Sequence, residues 1–182
     1  MEEAIEALKN RGTILYPTDT IWGIGCDATN DDACQKIIRL KNRPEDKSFI
    51  ILVDSIQMIE KYIPNFPDVC YDLLDVADKP LTIIYPNARG IAHSILAEDG
   101  SVGIRLTRDP ICQKLIRSVR KPLVSTSANI SGEPSPSCYA DISDVIRKGV
   151  DAIVMERLDE KRTTPSQIIK VGLDYSIQVI RK

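Results

Sequence analysis

The chain has 182 residues, of which 43% are hydrophobic and 27% charged, and its formal net charge is −2. That length holds one domain with a core and a sizeable cleft, and that composition excludes a disordered chain. A pI near 5.5 and an aromatic content of 5% exclude a broad nucleic-acid surface held by charge and stacking, so local basic loops must do any anion binding.

Apolar residues at 4, 5 and 8 predict a short amphipathic helix over 2–10, closed before Gly12. Residues 12–16 read as a strand that runs into a hydroxyl-rich loop, Pro17-Thr18-Asp19-Thr20, closed by Gly23 and Gly25. A helix follows over 31–40, with Asn30 or Asp31 as N-cap. Lys41, Arg43 and Lys47 then form a cationic loop ahead of an apolar strand over 48–53, the type buried on both faces. Helices are expected over 55–62, before Pro64 and Pro67, and over 68–77, with a strand over 81–85. A strand over 101–106 carries Arg105, and a helix over 109–118 has Pro110 in its first turn. The short strand 123–125 feeds the run Ser125-Thr126-Ser127-Ala128-Asn129-Ile130-Ser131-Gly132. A helix over 142–148 and strands over 152–155, 166–171 and 176–180 complete the chain. Strands and helices mix without strict βαβ alternation. The expected fold is α/β, a single domain over 1–182 with a twisted mixed β-sheet flanked by helices around a concave cleft. There is no internal repeat, low-complexity tract or Gly/Ser linker.

Five scattered cysteines lack C-x-x-C spacing and His93 is the single histidine, which leaves few ligands for a zinc site. An odd number of thiols without a signal peptide predicts reduced cysteines in the cytoplasm. Cys70 and Cys112 lie in apolar surroundings and read as core filler. No apolar stretch approaches the ~20 residues of a membrane span.

Small hydroxyl side chains at a strand end, followed by glycine, suit a loop whose donors converge on an anion. A structural turn uses the same residue types. The 17–25 loop and the cationic loop each lie beside a buried-looking strand, and together the three segments make a phosphate and carboxylate pocket. Five segments in order, Tyr16-Pro-Thr-Asp-Thr-Ile-Trp-Gly, Lys41-Asn-Arg-Pro, Lys79-Pro-Leu-Thr, Val102-Gly-Ile-Arg105 and Ser125-Thr-Ser-Ala-Asn-Ile-Ser-Gly-Glu-Pro-Ser135, are spread over most of the chain. They resemble those of the YrdC/Sua5 family, L-threonylcarbamoyladenylate synthases that start the threonylcarbamoyl modification of tRNA.

The resemblance implies a YrdC-like fold and a nucleotidyl transfer in which L-threonine, bicarbonate and ATP give threonylcarbamoyl-AMP and pyrophosphate. Separate proteins would then carry the threonylcarbamoyl group to the adenosine next to the anticodon. Carried over by motif, Lys41 and Arg43 are the catalytic cations, with Lys47 a third triphosphate contact. The bland reading of all three is a solvated turn at a helix C-terminus. Thr20, Arg105 and Ser125 are assigned to L-threonine, Arg105 as a clamp on its α-carboxylate; otherwise Arg105 is a structural ion pair. Arg43, Lys47, Ser101, Ser127, Asn129 and Ser135 are assigned to the nucleotide, and Ser166 to a segment closing over the ligands.

The chain departs from the family pattern at Lys79, where glycine is usual, at Leu52, where some relatives carry histidine, and at Lys47, where a small polar residue is common. Trp22 and Tyr16 either wall the cleft or belong to the core. Mg²⁺ is expected to travel with ATP, held by phosphates and water, with no metal-binding residues and no organic cofactor. The chain resembles the short form without an appended C-terminal domain. One alternative is a non-enzymatic RNA-binding module whose basic groove uses Lys41, Arg43, Lys47 and Arg105. Another is the carbamoyl-transfer domain of hydrogenase-maturation proteins, whose zinc-finger-like and acylphosphatase-like segments are missing here.

Overall fold

Local chemistry sets the helix boundaries in the computed structural model, which describes residues 1–42 and 49–182. Helix α1 (Glu2–Lys9) has acids in its first turn and a lysine in its last, matching the helix dipole. Helix α2 (Asp31–Lys41) starts at Asn30, whose side chain accepts from Ala33 N–H, and stops at Asn42 in the left-handed region. Ser55 caps α3 (Ile56–Tyr62) and Ser143 caps α6 (Asp144–Gly149) in the same way. Helix α4 spans Val69–Val76. Asp109 accepts from Ile111 and Cys112 N–H to open α5 (Pro110–Val119), with proline first, where no N–H is needed.

The strands are β1 (Ile14–Tyr16), β2 (Gly23–Gly25), β3 (Ile50–Val53), β4 (Leu81–Tyr85) and β5 (Val102–Leu106). They continue with β6 (Leu123–Ser127), β7 (Ala152–Ile153), β8 (Gln167–Val171) and β9 (Ile177–Arg181). Among the described residues they form one sheet in the order β7-β1-β2-β6-β3-β5-β4-β8-β9. The pairs β1/β7, β3/β5 and β4/β8 are parallel and the rest antiparallel, so the sheet is mixed as expected.

One face of the sheet is covered by α2, α3, α4 and α6, with Ile37, Ile59, Leu74 and Ile146 packed on Ile51, Ile83, Ile104 and Val124. On the other face α1 and α5 cover only part, burying Ile14, Tyr16, Leu52 and Leu123. The rest of that face stays open and becomes the floor of a cleft.

The main departures from the sequence expectation lie in β2 and β6. Residues 23–25 were expected as loop but form a strand between β1 and β6. Gly-Ile-Gly has little strand preference of its own. Long-range pairing imposes the strand, and glycine is needed because a Cβ on Gly25 would run into Val124 O and the Tyr16 ring. Strand β6 continues to Ser127, so the first three residues of the hydroxyl run are strand, with Ser127 opposite Gly23 and Ser125 opposite Ile50. Strand β7 stops at Ile153, short of the expected 155.

Tyr16 and Trp22 are buried. The Tyr16 hydroxyl donates to Val124 O at 2.9 Å, and Trp22 packs against Tyr139 with ring centroids 5.4 Å apart. His93 is exposed at the start of a 3-10 turn that lies outside the cleft wall, and Cys70 and Cys112 are core residues.

Candidate active site

Register puts side chains of two adjacent cross-strand rows on the open face: Ile50 lies opposite Gly103 and Ser125 in one, and Thr82 opposite Arg105 in the next. The absence of side chain at Gly103 keeps this floor low; a Cβ there would come within 3.2 Å of Thr82 Cγ2 and 3.4 Å of Ile50 Cγ1. Above these rows lies a cleft of about 410 Å³ whose wall includes Thr20, Arg105, Ser125, Ser127, Ser135 and Ser166. Six of the residues assigned by motif, dispersed over most of the sequence, thus meet around one cavity. Trp22 also presents an edge to it.

Arg105 is 3% exposed, a charge placed where it needs partners. Its Nη1 donates to Thr20 Oγ1 at 3.1 Å, and Nη2 lies 3.2 Å from Asp19 Oδ1. That ion-pair distance is not matched by hydrogen-bond alignment: among the described residues Nε and Nη2 have no acceptor, and Asp19 Oδ1 has no donor. The turn beneath Thr20 is rigid. Thr18 Oγ1 donates to Ile21 O at 2.7 Å and accepts from Thr20 N at 3.0 Å. The 2.9 Å contact between the two hydroxyls therefore runs from Thr20 to Thr18, leaving Thr20 Oγ1 as the acceptor for Arg105. A buried guanidinium with open donors at a cleft floor is built to receive an oxyanion.

A second guanidinium, not foreseen from the sequence, stands across the floor. Arg181 Nε donates to Ser166 O at 2.8 Å and Nη2 to Ser166 Oγ at 3.3 Å, and Ser166 Oγ is 2.8 Å from Thr82 Oγ1. A β-bulge explains its aim. Ile168 pairs with Arg181 and Ile169 with Val179, so the extra residue, Ile180, sets Arg181 on the cleft face beside Ile168. Burial first, and then the charge of Arg105, push the Arg181 pKa below its ordinary value. Among the described residues no carboxylate pairs with it. Nothing in the terminal Arg181-Lys182 signals this role, because the bulge depends on pairing with β8.

Other assigned residues lie outside the cleft wall. Lys41 is 1% exposed, and its ammonium donates to Ser127 O and Asn129 O while Ser131 N donates to Lys41 O at 2.8 Å. It ties the end of α2 to the chain leaving β6. Asn129 Nδ2 donates to Ile130 O at 2.9 Å and Glu133 O at 2.7 Å, which shapes the same loop. Ser101 is buried two residues before Gly103 and donates from N–H to Asp99 Oδ1 at 3.0 Å. Its hydroxyl, with Lys170, holds Asp99 down at a pKa of about 2. Leu52 is next to Arg105 in register but is buried under α5, which closes off a ligand contact. Lys79 is exposed and borders a separate hollow of about 150 Å³ with Asp19 and Arg108. Arg43 and Lys47 lie outside the described residues. The buried position of Arg105 removes it from the exposed basic groove that an RNA-binding module would need. Among the described residues, no group of three or more His, Cys, Asp or Glu side chains is placed to hold a metal, and no helix is long and apolar enough to cross a membrane.

A mixed α/β sheet whose uncovered face holds two guanidinia among serine and threonine hydroxyls defines a small-anion-binding protein of the α/β class. The chain belongs to the Sua5/YciO/YrdC family: the family model, described as telomere recombination, matches residues 6–182. It is 37% identical over 173 residues to a threonylcarbamoyl-AMP synthase of Psychromonas ingrahamii, covering 92% of this chain and 90% of that one. It is 31% identical over 171 residues to the enzyme of the same name from Vibrio campbellii, covering 92% and 91%. The structure of P. abyssi Sua5 complexed with L-threonine superposes with a TM-score of 0.86 at 25% identity, over 98% of this chain and 52% of that one. The chain thus spans about half the length of that Sua5. E. coli YciO shares the fold, with a TM-score of 0.82 at 24% identity over 98% and 86% of the two chains.

Proposed function

We propose that this protein is an L-threonylcarbamoyladenylate synthase, joining L-threonine, bicarbonate and ATP into threonylcarbamoyl-AMP with release of pyrophosphate, for the t6A modification of tRNA. The observation that carries the reading is Arg105, a buried guanidinium that lines the cleft and whose Nε and Nη2 lack hydrogen-bond partners among the described residues. Its neighbours suit an amino acid: Thr20 Oγ1 is within reach, and Ser125 stands on the same face. The threonine complex of P. abyssi Sua5 and the names of the curated relatives support the assignment.

In this reading the α-carboxylate of threonine takes the open donors of Arg105, with Thr20 and Ser125 beside it. Ser127, Ser135 and Arg181 face the rest of the cleft, where a nucleotide's phosphates would lie. Arg43 and Lys47 keep their motif assignment to the triphosphate, as do Ser101 and Asn129 to the nucleotide and Ser166 to the segment closing over it, while Lys41 serves the same site by holding the loop after β6 through Ser127 O and Asn129 O. The unprotonated threonine amine forms an N–C bond to the bicarbonate carbon as one C–O bond of bicarbonate breaks, and the released hydroxyl leaves as water with a proton from the amine, giving the carbamate. A carbamate oxygen then bonds to the α-phosphorus as the bond to the pyrophosphate oxygen breaks. Such transfers need little covalent help, and positioned charge dominates. A divalent cation such as Mg²⁺ supplies charge neutralisation when bound with ATP, held through phosphate oxygens and water. We place the reaction in the cytoplasm, where the five free cysteines stay reduced, with separate proteins transferring the product to tRNA.

The test is product formation by purified protein. Threonylcarbamoyl-AMP and pyrophosphate should appear together only when ATP, bicarbonate and L-threonine are all present, as read by mass spectrometry. Serine should serve less well, since one missing methyl is worth roughly 1 kcal/mol or more. Pyrophosphate release undiminished by omitting threonine would overturn the reading.

A further inference from the structure

The two edges of the sheet differ. Strand β7 is two residues long, too short to serve as a pairing template, whereas β9 runs five residues, Ile177–Arg181, with no charge or proline before Arg181. Among the described residues nothing pairs with its outer side. Five of the nine most exposed large hydrophobic side chains among the described residues fall between Leu173 and Ile180. Such a cluster on an open edge marks an interface, where scattered apolar residues would mark nothing. Ile177 and Val179, 47% and 56% exposed, lie opposite Val171 and Ile169, so they carry the helix-covered apolar face past the last element that covers it.

We propose that β9 is the seam of a twofold dimer, in which it pairs antiparallel with β9 of a second copy of this chain. The backbone is set for it. Gly172 N donates to Ser176 O at 2.9 Å, so Ser176 and, by alternation, Gln178 turn their N–H and C=O toward β8. Ile177 and Val179 turn theirs outward, to the open edge. With the axis at Gln178, each Ile177 exchanges both backbone bonds with Val179 of the second copy, and four apolar side chains meet across the axis. Charge selects this register and this occupant. The segment has an acid at one end, Asp174, an uncharged middle, and a base at the other end, Lys182, so reversed it is its own complement. An axis at Gln178 brings Asp174 of each copy to the Lys182 end of the other, and moving the axis to 177 or 179 loses that match. A surface complementary to itself closes as a dimer and leaves no further edge of this kind open.

Sedimentation velocity of the full chain from about 1 to 300 μM tests the dimer; the seam is short, so a monomer–dimer equilibrium should fall inside that range. Val179→Lys sets two like charges beside the axis and should raise the dissociation constant by about tenfold or more. Its melting curve, taken at a concentration where parent and variant are both monomeric, should match the parent's, which separates a lost seam from a lost fold. Cross-linking reads the register. In a Cys138→Ser background, which removes the one thiol that is not buried, Gln178→Cys should link two copies under oxidised glutathione, because position 178 meets itself on the axis. Ser176→Cys, which faces position 180 of the second copy, should stay unlinked. A parent that is monomeric over the whole range leaves the edge to a strand of some other protein and overturns the proposal, as does linkage at 176 equal to that at 178. Ile177, Gln178 and Val179 have no part in the proposed reaction, so that reaction stands or falls separately.

Discussion

Two buried cations, one ending α2 and the other on β5, are built on different plans. Lys41, at the end of α2, directs its ammonium at Ser127 O and Asn129 O, so its donors cinch the loop that leaves the strand. Arg105, on β5, lines a cavity of about 410 Å³ and among the described residues makes one hydrogen bond, to Thr20, leaving two nitrogens without acceptors. Both pay the desolvation cost of burial. In the first the fold itself supplies the compensating oxygens. In the second compensation is incomplete until a ligand oxyanion arrives. Burial alone therefore does not separate a structural cation from a binding one, whereas the fate of its donors does.

Arg105→Lys puts the largest strain on this comparison. Lysine keeps the charge but loses the planar fork, so threonine affinity should fall about 10- to 100-fold, equivalent to roughly 1.5–3 kcal/mol, with the melting temperature close to that of the parent. Titration and thermal melts on one preparation decide it; a large loss of stability with unchanged affinity would break the contrast.

Lys41→Met tests the other plan. It leaves two buried carbonyls short of a donor, a loss of about 2 kcal/mol, and the melting temperature should fall by about 4–8 °C for a chain of this size. Threonine affinity per folded molecule should change much less than in Arg105→Lys. A variant that melts like the parent but no longer forms adenylate would move Lys41 to the binding side of the comparison.

The smallest effect is expected at Asp99, an exposed counterpart to both. Ser101 and Lys170 hold its pKa at about 2 against an ordinary 3.8, so its contribution is present above the unfolded value and fades as pH falls from about 4 toward 2. With side chains 55% and 39% exposed, the Asp99–Lys170 pair is screened, and Asp99→Asn should cost about 0.5 kcal/mol at neutral pH, a cost that shrinks toward pH 2 and vanishes below it. Urea unfolding of parent and variant across that range checks both the size and the sign.

Much of the site was legible before the structure, because its residues fall in short motifs whose chemistry is local. Thr20, Arg105, Ser125, Ser127, Ser135 and Ser166 do line one cleft. Arg181 was missed because one extra residue at Ile180 decides which face it takes, and a bulge depends on the partner strand. The first two residues of the loop expected after residue 125 proved to be strand for a similar reason: Ser127 is paired with Gly23, more than a hundred residues away.

By itself, the sequence determined the features governed by neighbours a few residues apart. Asn30, Ser55 and Asp109 start helices through their own side chains, Pro110 fits the first turn of α5, and apolar runs such as Ile50–Val53 become buried strands. The tertiary structure decided which of these elements meet and which donors remain open. Lys41 and Arg105 are both basic residues bordering apolar stretches, and no local pattern distinguishes them. Packing brought two carbonyls to one ammonium and a misaligned carboxylate to the other guanidinium. Hydrogen bonds are satisfied or left open by geometry across the fold, whereas sequence patterns report only geometry along the chain.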